Sequence, residues 1–129
     1  MSNPADYLIR FTPDAAQDVK SLDGSIKKKL QKALEKKLAI NPEGYGVPLR
    51  GPLAGFWKHK FGSHRIIYRI SPEPKAVIVC AVGARRGEDA TDVYKQFEKA
   101  AAAGKVAEKI AAVLRLLSHQ REVLITKAA

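Results

Sequence analysis

The sequence predicts an α+β domain: an N-terminal strand and a helical hairpin packed on a small, mostly antiparallel sheet, with a helix at the C-terminal end. Three observations carry this. Apolar residues within the first forty positions recur at helical spacing in a segment that follows one short alternating run. Residues 56–61 and 64–70 read as strands joined by Gly62-Ser63, a pair suited to a two-residue hairpin turn. Residues 76–82, A-V-I-V-C-A-V, are apolar throughout, which fits a central strand buried on both faces.

Taken in order, Tyr7, Ile9 and Phe11 alternate with Leu8, Arg10 and Thr12 and make a first strand. Thr12-Pro13-Asp14 then opens a helix, with a hydroxyl cap, a proline at the first helical position and an acid in the first turn. It runs to about Leu22, where Asp23-Gly24 breaks it. Ser25 is the expected cap of the next helix. Ile26, Leu30, Ala33, Leu34 and Leu38 form its apolar stripe, and Lys27, Lys28, Lys29, Lys32, Lys36 and Lys37 occupy the opposite side. Asn41-Pro42 ends it. Residues 43–55 are rich in Gly and Pro and are expected to be loop, followed by the hairpin, a turn at Pro72 and Pro74, the apolar strand and a basic exit over residues 83–87. A further helix is expected from about Ala90.

A core of this kind is complete by about Phe97, so residues 1–97 are read as the domain and 98–129 as a helical appendage. Within the appendage Val106, Ile110, Val113, Leu114 and Leu117 form an amphipathic stripe that needs a surface to cover it. His119 to Arg121 reads as a break, and residues 123–126 as a last strand.

Composition narrows the partners. The net charge is +10, which favours a polyanion, most simply nucleic acid. The single cysteine, Cys80, cannot form an internal disulfide and sits in the apolar run, as a buried core residue would. No Cys/His spacing resembles a zinc site. No basic start followed by an apolar stretch marks a signal peptide or a membrane span, so a cytoplasmic location and no membrane partner are expected.

The chemistry gathers on the hairpin. Lys58 and Lys60 lie two apart and share one face of their strand, while Trp57, His59 and Phe61 take the other. Arg65 on the paired strand can point to the lysine side, with Arg69 at the same parity, and Arg85 follows the apolar strand. Between Arg50 and Arg86 there are eight Lys or Arg and one acid, Glu73. No Asp or Glu stands beside the lysines in sequence. Crowded like charges disfavour protonation, which makes a lysine of such a cluster a usable base near neutral pH. A cluster without carboxylates cannot hold Mg²⁺. If the site cuts RNA, it is expected to do so without metal or other cofactor. The 2′-hydroxyl would attack the adjacent phosphorus while arginines hold the developing charge. The plainer alternative is a basic face that binds phosphate and catalyses nothing.

Five pieces of sequence then carry a resemblance: L-R-G at 49–51, W-K-H-K-F at 57–61, H-R-I-I-Y-R at 64–69, V-G-A-R at 82–85 and V-Y at 93–94. In this order, over about residues 7–97, they resemble the RelE branch of the RelE/ParE toxins of type II toxin–antitoxin modules. The resemblance implies a toxin that cleaves mRNA in the ribosomal A site without metal, leaving a 2′,3′-cyclic phosphate and arresting translation. It implies Lys58 as general base, Lys60 as a stabiliser of transition-state charge and Arg65 as holder of the scissile phosphate. Arg85 would serve the leaving group, and Tyr94 would stack on a base. Arg50, Arg69, Arg86, His59 and His64 are the further candidates for holding substrate, although a lone histidine is more often structural. The implied partner is an acidic, DNA-binding antitoxin encoded next door. Residues 86–91 form a longer loop before the tyrosine than the family usually carries. Two other readings stay open: a ParE-like toxin that poisons DNA gyrase by protein contacts, and an inactive member that only binds RNA or antitoxin. The stripe of the appendage would either pack on its own domain or a dimer partner, or cover the groove that an antitoxin helix fills.

Overall fold

The computed structural model describes residues 6–87, 89–102 and 104–128, with side chains described as far as residue 118. Five strands form one sheet: β1 (Leu8–Phe11), β2 (Val47–Pro48), β3 (Trp57–Phe61), β4 (His64–Pro72) and β5 (Lys75–Ala84), in the order β1-β5-β4-β3-β2. Only β1 with β5 is parallel; the other pairs are antiparallel. β5 is therefore interior and buried on both faces, as its apolar run requires, although β4 is the middle strand.

One face of the sheet carries the helical hairpin, α1 (Pro13–Lys20) and α2 (Gly24–Ala33). Ala15, Leu30, Ala33, Leu34 and Leu38 pack there on Ile66, Tyr68, Val77, Val79 and Val82. Thr12 caps α1 as expected, its hydroxyl accepting from the Ala15 N–H at 3.2 Å. The cap of α2 differs from expectation. Asp23 supplies it, accepting from the Ile26 N–H at 3.0 Å, and Ser25 instead donates its hydroxyl to Asp23 at 2.7 Å. A carboxylate placed before the helix satisfies an orphan N–H and meets the positive end of the dipole, which a serine inside the first turn cannot do. α2 continues into a π-helical turn, Leu34–Leu38, where the Ala39 N–H reaches back to the Leu34 carbonyl at 2.8 Å. The wider turn keeps both leucines in the core.

The stretch 43–55 is more structured than its composition implies. It holds part of a one-turn helix, α3 (Pro42–Tyr45), then β2 and a 3₁₀ turn at Gly51–Leu53. Tyr68 fixes it by donating to the Pro42 carbonyl at 2.6 Å. A core tyrosine anchoring a loop carbonyl is a tertiary contact that local composition does not encode.

The other face carries α4 (Val93–Ala102) and α5 (Lys105–Ala128), separated at Gly104, whose φ of +78° suits a residue without Cβ. Val93, Phe97, Val106, Ile110 and Leu117 pack against Ile67, Ile78, Cys80 and Ala81 in one cluster. The stripe of the appendage thus covers its own sheet. The expected break at residues 119–121 and strand at 123–126 are absent: α5 runs continuously through them. Extending an existing helix gains a hydrogen bond for each residue fixed, whereas a strand there would need a ladder partner.

β5 carries a bulge. Ile67 opposes Ala81 and Tyr68 opposes Val79, which leaves Cys80 as the extra residue. Up to Val79 the odd residues of β5 face the helical hairpin; beyond Cys80 the even residue Val82 does. The bulge therefore turns Gly83, and the chain leading to Arg85, toward the face that bears α4.

Candidate active site

Alternation places Lys58 and Lys60 of β3 on the face opposite the helical hairpin. The register pairs Lys60 with Arg65 and Lys58 with Ile67 across the β3–β4 hairpin, so Arg65 shares that face. Arg85 arrives from the end of β5 on the adjoining side, its N–H held by the Ser63 carbonyl at 2.9 Å. Helix α4 sets Tyr94 over the strands. Lys58, Arg65, Arg85 and Tyr94, together with Arg50, line a cleft of about 280 Å³, walled by Leu49 and Leu53; Lys60 lies outside it.

Tyr94 is the hub of the cleft. Lys58 Nζ lies 5.6 Å and Arg85 Cζ 5.1 Å from its ring centroid, both within cation–π range. Its hydroxyl is buried, on the side of Arg65. Burial raises its pKa, and the nearby positive charge of Arg65 offsets part of that rise. One aromatic ring thus draws together the three cations most central to the expected chemistry. With Lys58 and Arg85 against its ring, Tyr94 in this conformation packs on cations before it could stack on a base.

Arg85 is oriented by a residue that the sequence reading passed over. Asp92 has no exposed side-chain surface, and its Oδ1 meets Arg85 Nη1 at 2.8 Å. The same oxygen accepts from the Arg86 N–H, and Oδ2 accepts from the Tyr94 N–H at 3.1 Å. Burial opposes the charge on Asp92, but the Arg85 hydrogen bond and the two backbone donors outweigh it and hold the carboxyl below its usual range. Asp92 therefore binds Arg85, caps α4 and fixes the start of the helix that carries Tyr94. The expectation of a carboxylate-free cluster is corrected in this respect. α4 brings Asp92 to Arg85, and Glu98, one helical turn beyond Tyr94, to the wall of the cleft. Their distance from the hairpin in sequence hid both. The signal that could have found them is Asp92 at the mouth of a predicted helix and Glu98 at i+4 from the tyrosine.

The remaining candidates disperse. Lys60 is exposed and borders a neighbouring cleft with His59. His59 points away from Tyr94; it is buried, with Nδ1 2.8 Å from the Tyr45 carbonyl. His64 packs at the hairpin turn against Phe61, ring centroids 5.6 Å apart. Arg69 lies farther along β4 with its guanidinium 5.1 Å from the Phe56 ring centroid. Arg86 leaves the cleft for a larger groove of about 780 Å³ between α1, the end of β5 and α4. That groove is lined by none of Lys58, Arg65, Arg85 and Tyr94, so size alone does not mark the site; convergence of cations does. Cys80 is buried and burial pushes its thiol up to about 12, as an inert core residue. Among the described residues no three His, Cys, Asp or Glu side chains gather as metal ligands, and no helix is long and apolar enough to cross a membrane.

Comparison with known proteins places this geometry among relatives. Residues 9–89 match the family model described as ParE toxin of type II toxin–antitoxin system, parDE. The chain is 31% identical over 90 residues to Toxin RelG of Mycobacterium tuberculosis, covering 70% of this chain and 98% of that protein. It superposes on the toxin–antitoxin complex RelBE2 of Mycobacterium tuberculosis with a TM-score of 0.59 and 32% identity, over 62% of this chain and 99% of that one. The intact RelBE toxin–antitoxin complex of E. coli gives a TM-score of 0.53 and 26% identity, over 63% of this chain and 99% of that one.

Proposed function

This chain belongs to the RelE/ParE superfamily of type II toxin–antitoxin toxins, and from that premise we propose that it is a metal-independent endoribonuclease that cuts mRNA on the ribosome and thereby inhibits translation. The observation that carries the reading is the convergence of Lys58, Arg65, Arg85 and Tyr94 on one cleft. In the proposed reaction the RNA 2′-oxygen attacks the adjacent phosphorus and Lys58 takes its proton. Arg65 holds the charge that builds on the non-bridging oxygens, supported by Lys60, its cross-strand neighbour outside the cleft. The P–O5′ bond breaks, Arg85 steadies the charge on the departing 5′-oxygen, which takes a proton from solvent water and leaves as a hydroxyl, and a 2′,3′-cyclic phosphate remains. Asp92 serves by holding Arg85 through Oδ1 and the Tyr94 N–H through Oδ2, and with both carboxylate oxygens engaged it is poorly suited to bind Mg²⁺. A cognate antitoxin, acidic enough to complement a charge of +10, would hold the toxin in check.

The match to the ParE model favours a second reading, a toxin that acts on DNA gyrase through protein contacts. Primer extension on free and ribosome-bound mRNA separates the two. The nuclease reading predicts cuts that fall about 10²–10³-fold in rate in Lys58→Ala and Arg85→Ala, the scale for loss of a general base or of one transition-state donor. Intact mRNA together with trapped gyrase–DNA complexes would establish the second reading instead.

A further inference from the structure

The cations of the Tyr94 cleft arrive from separate strands. Lys58 lies on β3 and Arg85 follows β5, with β4 between them. The two strands are therefore two strand spacings, about 10 Å, apart. Like charges that converge on a cleft of about 280 Å³ repel one another, and a lysine stem left to itself keeps its rotamer freedom. Asp92 grips Arg85 at 2.8 Å, but among the described residues no carboxylate pairs with Lys58.

The ring of Tyr94 bridges the gap. Lys58 Nζ and Arg85 Cζ both lie within cation–π range of it, and its hydroxyl is on the side of Arg65. The negative face of an aromatic ring attracts cations that otherwise repel each other, without adding a charge that would repel phosphate. The ring is itself held. Val93 and Phe97, its neighbours on α4, are buried in the core cluster, which fixes the rotation of the helix. Gly83 lets the start of that helix come close, since a Cβ there would stand 3.2 Å from the Val93 side chain. Asp92 accepts from the Tyr94 N–H at 3.1 Å and holds Arg85 through its other oxygen. Arg85 is thus gripped by carboxylate and ring together, and Lys58 by the ring.

We propose that Tyr94 is a positioning residue: its ring holds Lys58 and Arg85 in place for their two roles, proton transfer and departure of the 5′-oxygen, and does not serve as a platform for a base. This rests on the nuclease reading above and deepens it. The resemblance assigns Tyr94 to base stacking, yet a base could take this ring only by displacing a cation that performs the chemistry. Two consequences separate the roles. Loss of a positioning ring lowers kcat and leaves KM, because it disturbs groups that act in the transition state. The loss also depends on the cations being present, because the ring acts through them.

The test is steady-state cleavage by the full-length chain of whichever substrate the wild type cuts, free or ribosome-bound mRNA, with Tyr94→Leu, Tyr94→Met and Tyr94→Phe. Leucine and methionine fill space without a ring, and thermal unfolding shows which of them is folded for measurement. Either is expected to lower kcat about tenfold, the scale of two lost cation–π contacts, with KM within about twofold. Tyr94→Phe keeps the ring and is expected to recover kcat to within about threefold of wild type. In a Lys58→Ala background the further loss on removing the ring is expected to shrink to about threefold, because only Arg85 is left for it to hold. A second readout needs no activity. The NMR signals of the Lys58 ε-methylene, displaced by the ring current, are expected to return toward their unshifted positions in Tyr94→Leu and to stay displaced in Tyr94→Phe. Signals that do not move, or a raised KM at unchanged kcat whose effect multiplies in full with Lys58→Ala, would overturn the positioning role and leave the nuclease reading standing. If the wild type cuts no mRNA, the nuclease reading and the positioning role fall together.

Discussion

Asp92 illustrates how one side chain sets a site without meeting substrate. Its carboxylate joins Arg85, the Arg86 N–H and the Tyr94 N–H, so two residues of the cleft and the backbone between β5 and α4 depend on one anion. Asp92→Asn removes the charge and turns an amide donor toward donors. The expected cost is about 1–3 kcal/mol in urea unfolding at pH 7, the scale for one buried acceptor replaced by a donor and a charge-assisted hydrogen bond lost. The sign with pH follows from the depressed pKa. The folded-state value lies below the ordinary 3.8, so the stabilisation is fully present above that value and is lost as pH falls through the folded one. The gap between wild type and Asp92→Asn is therefore expected to close below about pH 4; a gap that stays constant into acid would show that the charge contributes nothing. The residue scale was only partly legible in sequence. Thr12 as a cap and Cys80 as a core residue followed from local chemistry. Asp92 did not, because its partner Arg85 lies seven positions away, across a loop whose course only the fold determines.

Among the elements, the β3–β4 hairpin is the most legible and the segment before it the least. Alternation and the Gly62-Ser63 turn fix which residues share the lysine face, because strand parity is a local property. Residues 42–56 take their shape instead from what they touch. Gly46 shows the constraint: a Cβ there would stand 1.8 Å from the Tyr68 hydroxyl and 2.9 Å from the Pro42 carbonyl, the two ends of the hydrogen bond that anchors the segment. Gly46→Ala is expected to destabilise the fold by about 3 kcal/mol, combining overpacking with the broken bond. Because Tyr45 is the neighbouring residue, the same change is expected to disturb the cleft lined by Tyr45, His59 and Lys60 more than the Tyr94 cleft. Denaturant unfolding measures the first effect, and a midpoint equal to that of the wild type would show that the segment relaxes freely.

For the molecule as a whole, the question is how one sheet face serves two purposes. α4 and α5 cover the β5 side of that face, and the cations occupy the β3–β4 side. The family match ends at residue 89, so both helices lie beyond it, yet Val106, Ile110 and Leu117 are buried in the cluster that contains Ile67 and Ile78. Lys109 adds an ion pair to Asp14 of α1, tying the tail to the N-terminal half of the chain. Ile110→Ala is expected to cost about 2–4 kcal/mol in thermal or urea unfolding, the scale of a core truncation, where a loosely attached tail would show almost none. The sequence by itself determined the α+β class, the two helices on one face, the hairpin and the shared face of Lys58, Lys60 and Arg65, because capping, helical spacing and strand alternation act over a few residues. Only the tertiary structure decided that Arg85 joins them. Unbroken alternation along β5 would put residue 85 on the side of Val77 and Val79, beneath the helical hairpin; the bulge at Cys80 reverses that parity. A bulge depends on how two strands register along their whole length, and Asp92, Tyr94 and Glu98 reach the cleft only because α4 packs back across it.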